Sequence, residues 1–111
     1  MNKTLTALDL GDNLIENQDA TNLAAMLEKN NCTLTTLNLE GSGIKALGAK
    51  MLSIALEKNC FLKILGLREN HIEDHGAKNL AAALEKKGTP MPLDLKGSGI
   101  KTQRWRYSQL R

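Results

Sequence analysis

The stretch Leu8-Asp9-Leu10-Gly11-Asp12-Asn13-Leu14-Ile15, "LDLGDNLI", returns three times along the chain: as "LNLEGSGI" from Leu37, as "LGLRENHI" from Leu65 and as "LDLKGSGI" from Leu93. Superposing the octets aligns Leu8 with Leu37, Leu65 and Leu93, Leu10 with Leu39, Leu67 and Leu95, and Ile15 with Ile44, Ile72 and Ile100. The offsets are 29, 28 and 28 residues, the extra residue being one of the Asn30-Asn31 pair. Self-similarity at a fixed period of this length marks a solenoid, in which each unit buries its apolar side only against its neighbours.

Two periodicities alternate inside each unit. Leu8 and Leu10 follow period two, as do Leu37 and Leu39 or Leu65 and Leu67, which puts each pair on one face of a strand. Ala20, Leu23, Ala24 and Leu27 then fall at helical spacing, as do Ala49, Leu52, Ser53 and Leu56, and Ala77, Leu80, Ala81 and Leu84. Each unit is therefore expected to be a strand, a turn and an amphipathic helix of about three turns. The small side chains at 20, 49 and 77 and at 24, 53 and 81 let a helix approach its strand and its neighbours closely. Asn17 and Asp74 are the expected N-caps, while Ala46 at the matching place has no oxygen to accept an amide proton, so the middle helix should start less firmly. Between strand and helix runs the column Asn13, Ser42, Asn70 and Ser98, whose side chains are expected to bond the backbone of their own turn and of the next unit.

Composition sets the outer limits. At 111 residues and 41% apolar content there is material for one domain with one core. Met1-Asn2-Lys3-Thr4 opens no signal-like apolar run, and no stretch approaches the roughly 20 apolar residues that cross a bilayer, which predicts a soluble, cytoplasmic protein with no membrane partner. Cys32 and Cys60 occupy equivalent settings, "NCTL" and "NCFL", and read as reduced thiols. The net charge of +3 is unevenly spread, because Lys101, Arg104, Arg106 and Arg111 stand in a tail without acids, and the remaining body carries one more acidic than basic side chain.

The pattern "LxxLxLxxN/SxI", with "GAK" at Gly48-Ala49-Lys50 and Gly76-Ala77-Lys78 and "ALEK" at Ala55-Leu56-Glu57-Lys58 and Ala83-Leu84-Glu85-Lys86, resembles the ribonuclease-inhibitor class of leucine-rich repeat. Similar repeats occur in nucleotide-binding leucine-rich-repeat receptors, in Ran GTPase-activating proteins and, more loosely, in tropomodulins. The resemblance implies an α/β fold: a right-handed α/β solenoid, or horseshoe, with parallel strands lining the concave face, helices outside, and partner proteins bound on the concave face or its rim. About three and a half repeats of 28–29 residues fit, over residues 2–30, 31–58, 59–86 and 87–100, followed by a basic tail or cap over 101–111. Pro90 and Pro92 flank the last strand, which should be short or at an edge.

Catalytic chemistry finds little support. "LNLEGSGIKA" imitates a dinucleotide fingerprint, but Gly41 and Gly43 are better read as turn residues able to take positive φ. His71 and His75 lie four apart with carboxylates between them, yet one sits in the turn and the other at a helix start, with no third ligand in view, so no metal is assigned. No nucleophile stands with a base in matched positions. The expectation is a non-enzymatic module without cofactor.

If Leu8 and Leu10 point inward, the residues between them face the open side of the sheet. That side would carry Ala7, Asp9 and Gly11; Thr36, Asn38 and Glu40; Ile64, Gly66 and Arg68; and Pro92, Asp94 and Lys96. A protein partner is therefore expected on Asp9, Asn38, Glu40, Arg68, Asp94 and Lys96. Two alternatives remain. One is self-association into a homo-oligomer through open solenoid ends. The other is nucleic-acid or acidic-surface binding by the tail, where Arg104, Trp105, Arg106 and Tyr107 interleave cations with aromatic rings, the same four residues that would form a cap if the tail folds back.

Overall fold

The computed structural model describes residues 5–29, 33–59, 61–87 and 93–99. Among these residues four short strands and three helices alternate: β1 (Ala7–Asp9), α1 (Asn17–Glu28), β2 (Thr36–Asn38), α2 (Ala46–Lys58), β3 (Ile64–Gly66), α3 (Glu73–Lys87) and β4 (Leu93–Asp94). The strands form one parallel sheet in the order β1-β2-β3-β4. Its register pairs Leu8 with Leu37, Leu37 with Leu65, and Leu65 with Leu93, one turn of chain apart each time. The helices follow in the same order, α1 against α2 and α2 against α3. The last strand stands at the sheet edge, where the missing ladder donors of nearby prolines are tolerated.

The leucines of the repeat make the core, together with the helical positions named from the sequence. Leu37, Leu39, Leu65 and Leu67 are buried, and so are Ala20, Ala24, Leu27, Ala49, Leu52, Ser53, Leu56, Ala77, Leu80, Ala81 and Leu84. Each fully buried leucine contributes about 1.5–3 kcal/mol relative to exposure. Of the largest side chains buried to below 2% exposure, all but Leu27 belong to the second and third units, which have neighbours on both sides. Leu8, Leu10 and Leu23 of the first unit are only partly covered. The small residues serve close approach: a Cβ on Gly76 of α3 would stand 3.0 Å from the Ala49 Cβ on α2.

The turns repeat a backbone conformation rather than a residue. Asp12, Gly41, Glu69 and Gly97 occupy equivalent places and all take positive φ, at 60°, 64°, 58° and 74°. Glycine reaches this region without steric cost, whereas an acidic side chain held there stores strain of roughly 1–2 kcal/mol. Gly43, at 73°, also has the positive φ expected of it.

The helix starts correct the sequence reading, by one position in α1 and α2 and by two in α3. Asn17 is the first helical residue of α1, and the cap is Glu16, whose N–H donates to Asp19 Oδ2 at 3.1 Å. Asp74 lies inside α3 at its second position. α2 is capped by Lys45, not Ala46, and has no side-chain cap bond.

The polar column also needs a correction in direction. Asn70 donates from Nδ2 to the carbonyls of Leu67 (3.1 Å) and Arg68 (3.3 Å) in its own turn, and to Leu39 O (2.9 Å) in the preceding unit. Its Oδ1 accepts the N–H groups of Ser42 and Ile44, both at 3.0 Å and again in the preceding unit. Ser42 Oγ reaches back to Leu10 O at 3.1 Å, and Ser98 Oγ to Leu67 O at 2.8 Å. The reason is geometric. The strand-to-turn N–H groups of each unit already donate forward, as Leu10 to Asn38 O and Leu39 to Gly66 O, so the carbonyl at the turn is left for a donor from the following unit. Among the described residues Asn13 bonds only within its own turn, to Leu10 O and Gly11 O, and is exposed.

A second buried asparagine escaped the sequence reading. Asn59, 1% exposed, donates to Leu27 O at 2.8 Å and accepts from the N–H groups of Phe61 and Leu62, stitching the α2–β3 connection to the unit before it. Its signal in the sequence is the polar residue closing the helix in "ALEKN". Cys32 and Cys60 lie outside the described residues.

Candidate functional site on the outer sheet face

With Leu37 and Leu65 turned inward, pleating turns their neighbours to the other face of the sheet. Asp9, Asn38 and Asp94 fall on that face in strands of one sheet, and Glu40, Arg68 and Lys96 follow two residues further on, in the turns. Neighbouring strands are about 4.8 Å apart, so side chains in one row touch or bridge.

Two rows cross the strands. The first holds Asp9, Asn38, Gly66 and Asp94. Asp9 Oδ1 accepts the Gly11 N–H at 2.9 Å and the Asn38 Nδ2 at 3.0 Å, tying β1 to β2. Asn38 Oδ1 accepts the Glu40 N–H, and Asp94 Oδ1 the Lys96 N–H, both at 3.0 Å. These bonds to the amide two residues on are the local habit of Asp and Asn where a strand begins to turn. The sequence reading treated the three as contact residues alone, and they hold the strand ends as well.

The second row holds Gly11, Glu40, Arg68 and Lys96. Arg68 pairs with Asp94 of the next strand, Nε to Oδ2 at 3.3 Å. The Nε atom is buried and its N–H is not aligned with the carboxylate, so the contact is Coulombic attraction without a hydrogen bond. Glu40 and Lys96 have no ion-pair partner among the described residues. On the helix side, ion pairs link successive units, Lys58 with Glu28 and Lys86 with Glu57, each at 3.3 Å.

A shallow cleft of about 200 Å³ opens elsewhere, between the first two turns, lined by Leu14, Ile15, Glu16, Asn17, Gly43 and Lys45. None of the six face residues lines it. His71 and His75 are both exposed, and His71 joins the Lys45 backbone in a bridge that extends the sheet past the turn. Among the described residues no three His, Cys, Asp or Glu side chains converge as a metal site, and no helix is long and apolar enough to cross a membrane. Arg104, Trp105, Arg106 and Tyr107 lie outside the described residues.

A family model for the leucine-rich repeat matches the chain three times, over residues 2–24, 30–53 and 58–81. The matches cover more than half of the sequence, and the chain belongs to the leucine-rich-repeat family. Repeats of this family commonly mediate protein–protein interaction and are typically non-enzymatic. No curated protein matches the chain.

Proposed function

We propose that the chain is a non-enzymatic cytosolic module that binds a partner protein through the outer face of its sheet and the adjoining rim, with Asp9, Asn38, Glu40, Arg68, Asp94 and Lys96 as contacts. The observation that carries this reading is the charged row of Glu40, Arg68 and Lys96. Its two outer members have no ion-pair partner among the described residues, and the fold needs none of the three in its core. In finer detail we read a right-handed horseshoe of the ribonuclease-inhibitor class. Parallel strands joined through a helix cross over right-handed almost without exception. Helices 8–10 Å apart on one side of strands about 4.8 Å apart bend such a stack so that the open sheet face is concave.

The test is affinity capture from a lysate of the source organism, comparing the unaltered chain with a Glu40→Arg/Arg68→Glu double variant and with a chain ending at Ile100. The expected result is a protein captured by the unaltered and shortened chains and lost with the charge swap. Capture that survives the swap and fails without the tail would move the site to the segment around Arg104 and Trp105.

A further inference from the structure

The middle helix departs from its neighbours on the side turned away from the sheet. Superposing the units aligns Leu47, Met51 and Ile54 of α2 with Gln18, Asn22 and Ala25 of α1 and with His75, Asn79 and Ala82 of α3. These places form the outer side of every helix, and none of the residues there is buried. In α1 the first two are joined across one turn, Gln18 Nε2 to Asn22 Oδ1 at 3.3 Å. In α2 the same two are Leu47, 51% exposed, and the partly covered Met51, and Ile54 completes the line at 39% exposure. Standing at i, i+4 and i+7, the three make one apolar stripe about 10 Å long at 1.5 Å per residue. The fold does not require it, since α1 and α3 do without. Single exposed apolar side chains are ordinary, but three in line on one helix are the anchor pattern of helix docking.

The ion pairs show what borders the stripe. Glu57 reaches Lys86 of α3, so Lys50, seven residues before Glu57 and on the same side of α2, borders the stripe toward α3. Met51 and Lys58 are likewise seven apart, and Lys58 reaches Glu28, so Met51 leans toward α1. Ala25 and Ala82 hold the place of Ile54 on the flanking helices, which makes Ile54 a ridge between two small side chains. Glu28 and Glu57 are engaged in their pairs, whereas Lys50 and its counterpart Lys78 in α3 are exposed with no ion-pair partner among the described residues. The uncompensated charge beside the stripe is therefore positive. A second copy does not answer it. Stripe on stripe, an antiparallel copy would bring Lys50, next to the midpoint of the stripe, beside its own counterpart, and a parallel copy would turn it to the side bearing Met51. Neither offers a free carboxylate, and three side chains are small against the roughly 800 Å² per partner of a stable complex.

We propose that the stripe of Leu47, Met51 and Ile54 docks an amphipathic helix of a second protein in a transient contact. The apolar side of that helix closes over the stripe, and an acidic side chain flanking it pairs with Lys50. This surface lies on the helix side and stands or falls independently of the outer sheet face.

The experiment titrates the ¹⁵N-labelled full chain with three blocked peptides, following the α2 amides by NMR. One is an amphipathic helix with leucines on one side and glutamates flanking them, one carries lysines in place of the glutamates, and one is the first with its order scrambled. The glutamate peptide is expected to shift the amides of Leu47, Lys50 and Ile54 to saturation, and the scrambled peptide to move none of them. At low salt it is expected to bind on the order of fivefold more tightly than the lysine peptide, one exposed attraction set against one repulsion, a difference that shrinks as salt rises. The triple variant Leu47→Gln/Met51→Asn/Ile54→Ala, which gives α2 the residues α1 carries, is expected to keep the thermal midpoint and abolish the shifts. Lys50→Glu is expected to transfer the preference to the lysine peptide. Equal binding of the glutamate and lysine peptides, shifts that avoid α2, or undiminished binding to the folded triple variant overturns the proposal. A mass of the chain alone that rises with concentration and falls back in the triple variant would assign the stripe to a second copy and overturn it too. Binding to phosphatidylserine vesicles that the triple variant loses, with no response to the peptides, would overturn it in favour of a lipid surface.

Discussion

Asn70 ties two units together through one planar amide. Both N–H groups that it accepts and one of the three carbonyls that it serves belong to the unit before its own. Replacing it with alanine strands two buried donors and several acceptors, each costing about 1–3 kcal/mol when left unpaired, and local relaxation recovers part of the sum. Asn70→Ala is expected to lower stability by about 3–5 kcal/mol in urea titration, against less than about 1 kcal/mol for Asn13→Ala, whose bonds are exposed and local. Equal losses at the two positions would refute this account of the column. The column itself is legible in the sequence, because polar residues at a fixed place in an apolar repeat must be bonded. The direction of its reach is not, since that depends on which edge of each turn the backbone has already used.

At the scale of the element, the three helices begin differently although their sequences align. α1 starts with the Asp19 carboxylate bonded to the Glu16 N–H, and α2 starts from Lys45 with no side-chain bond at all. An aspartate at that position would accept an orphan amide and place a negative charge at the positive end of the helix dipole. Lys45→Asp is therefore expected to raise stability by about 0.5–1.5 kcal/mol, read as a higher thermal midpoint. An unchanged or lower midpoint would show that the first turn of α2 is satisfied by other means. Helix type, order and buried face were all readable from the spacing of Ala20 to Leu84. The cap was not, because Glu16, Asn17 and Asp19 are all polar and eligible. What selects Glu16 is the anchoring of Ile15, buried in the core with its N–H on Ser42 O, which fixes where the extended chain must turn.

Across the whole molecule, stability is a sum over units and the interfaces between neighbours. Opening the first unit breaks one interface, and opening the second breaks two. The amides of Leu39 and Gly41, bonded to Gly66 O and Arg68 O, are accordingly expected to exchange with deuterium at least about tenfold more slowly than those of Leu10 and Asp12, bonded to Asn38 O and Glu40 O. The reverse order would contradict an additive array. The repeat made the alternation of strand and helix readable, and period two along each strand set Asp9, Asn38 and Asp94 between the leucines. The Arg68–Asp94 pair stayed out of reach, because it depends on which way side chains turn once they share a face. The backward-reaching column has a consequence for heredity. Excising residues 42–69 would join Gly41 to Asn70, and Asn70 would then meet the carbonyl of Leu10 and the amides of Asn13 and Ile15 in place of Leu39, Ser42 and Ile44. A chain bonded in this way can be lengthened or shortened by duplication and deletion in whole periods, while a loss of half a period would leave every later asparagine facing the wrong atoms.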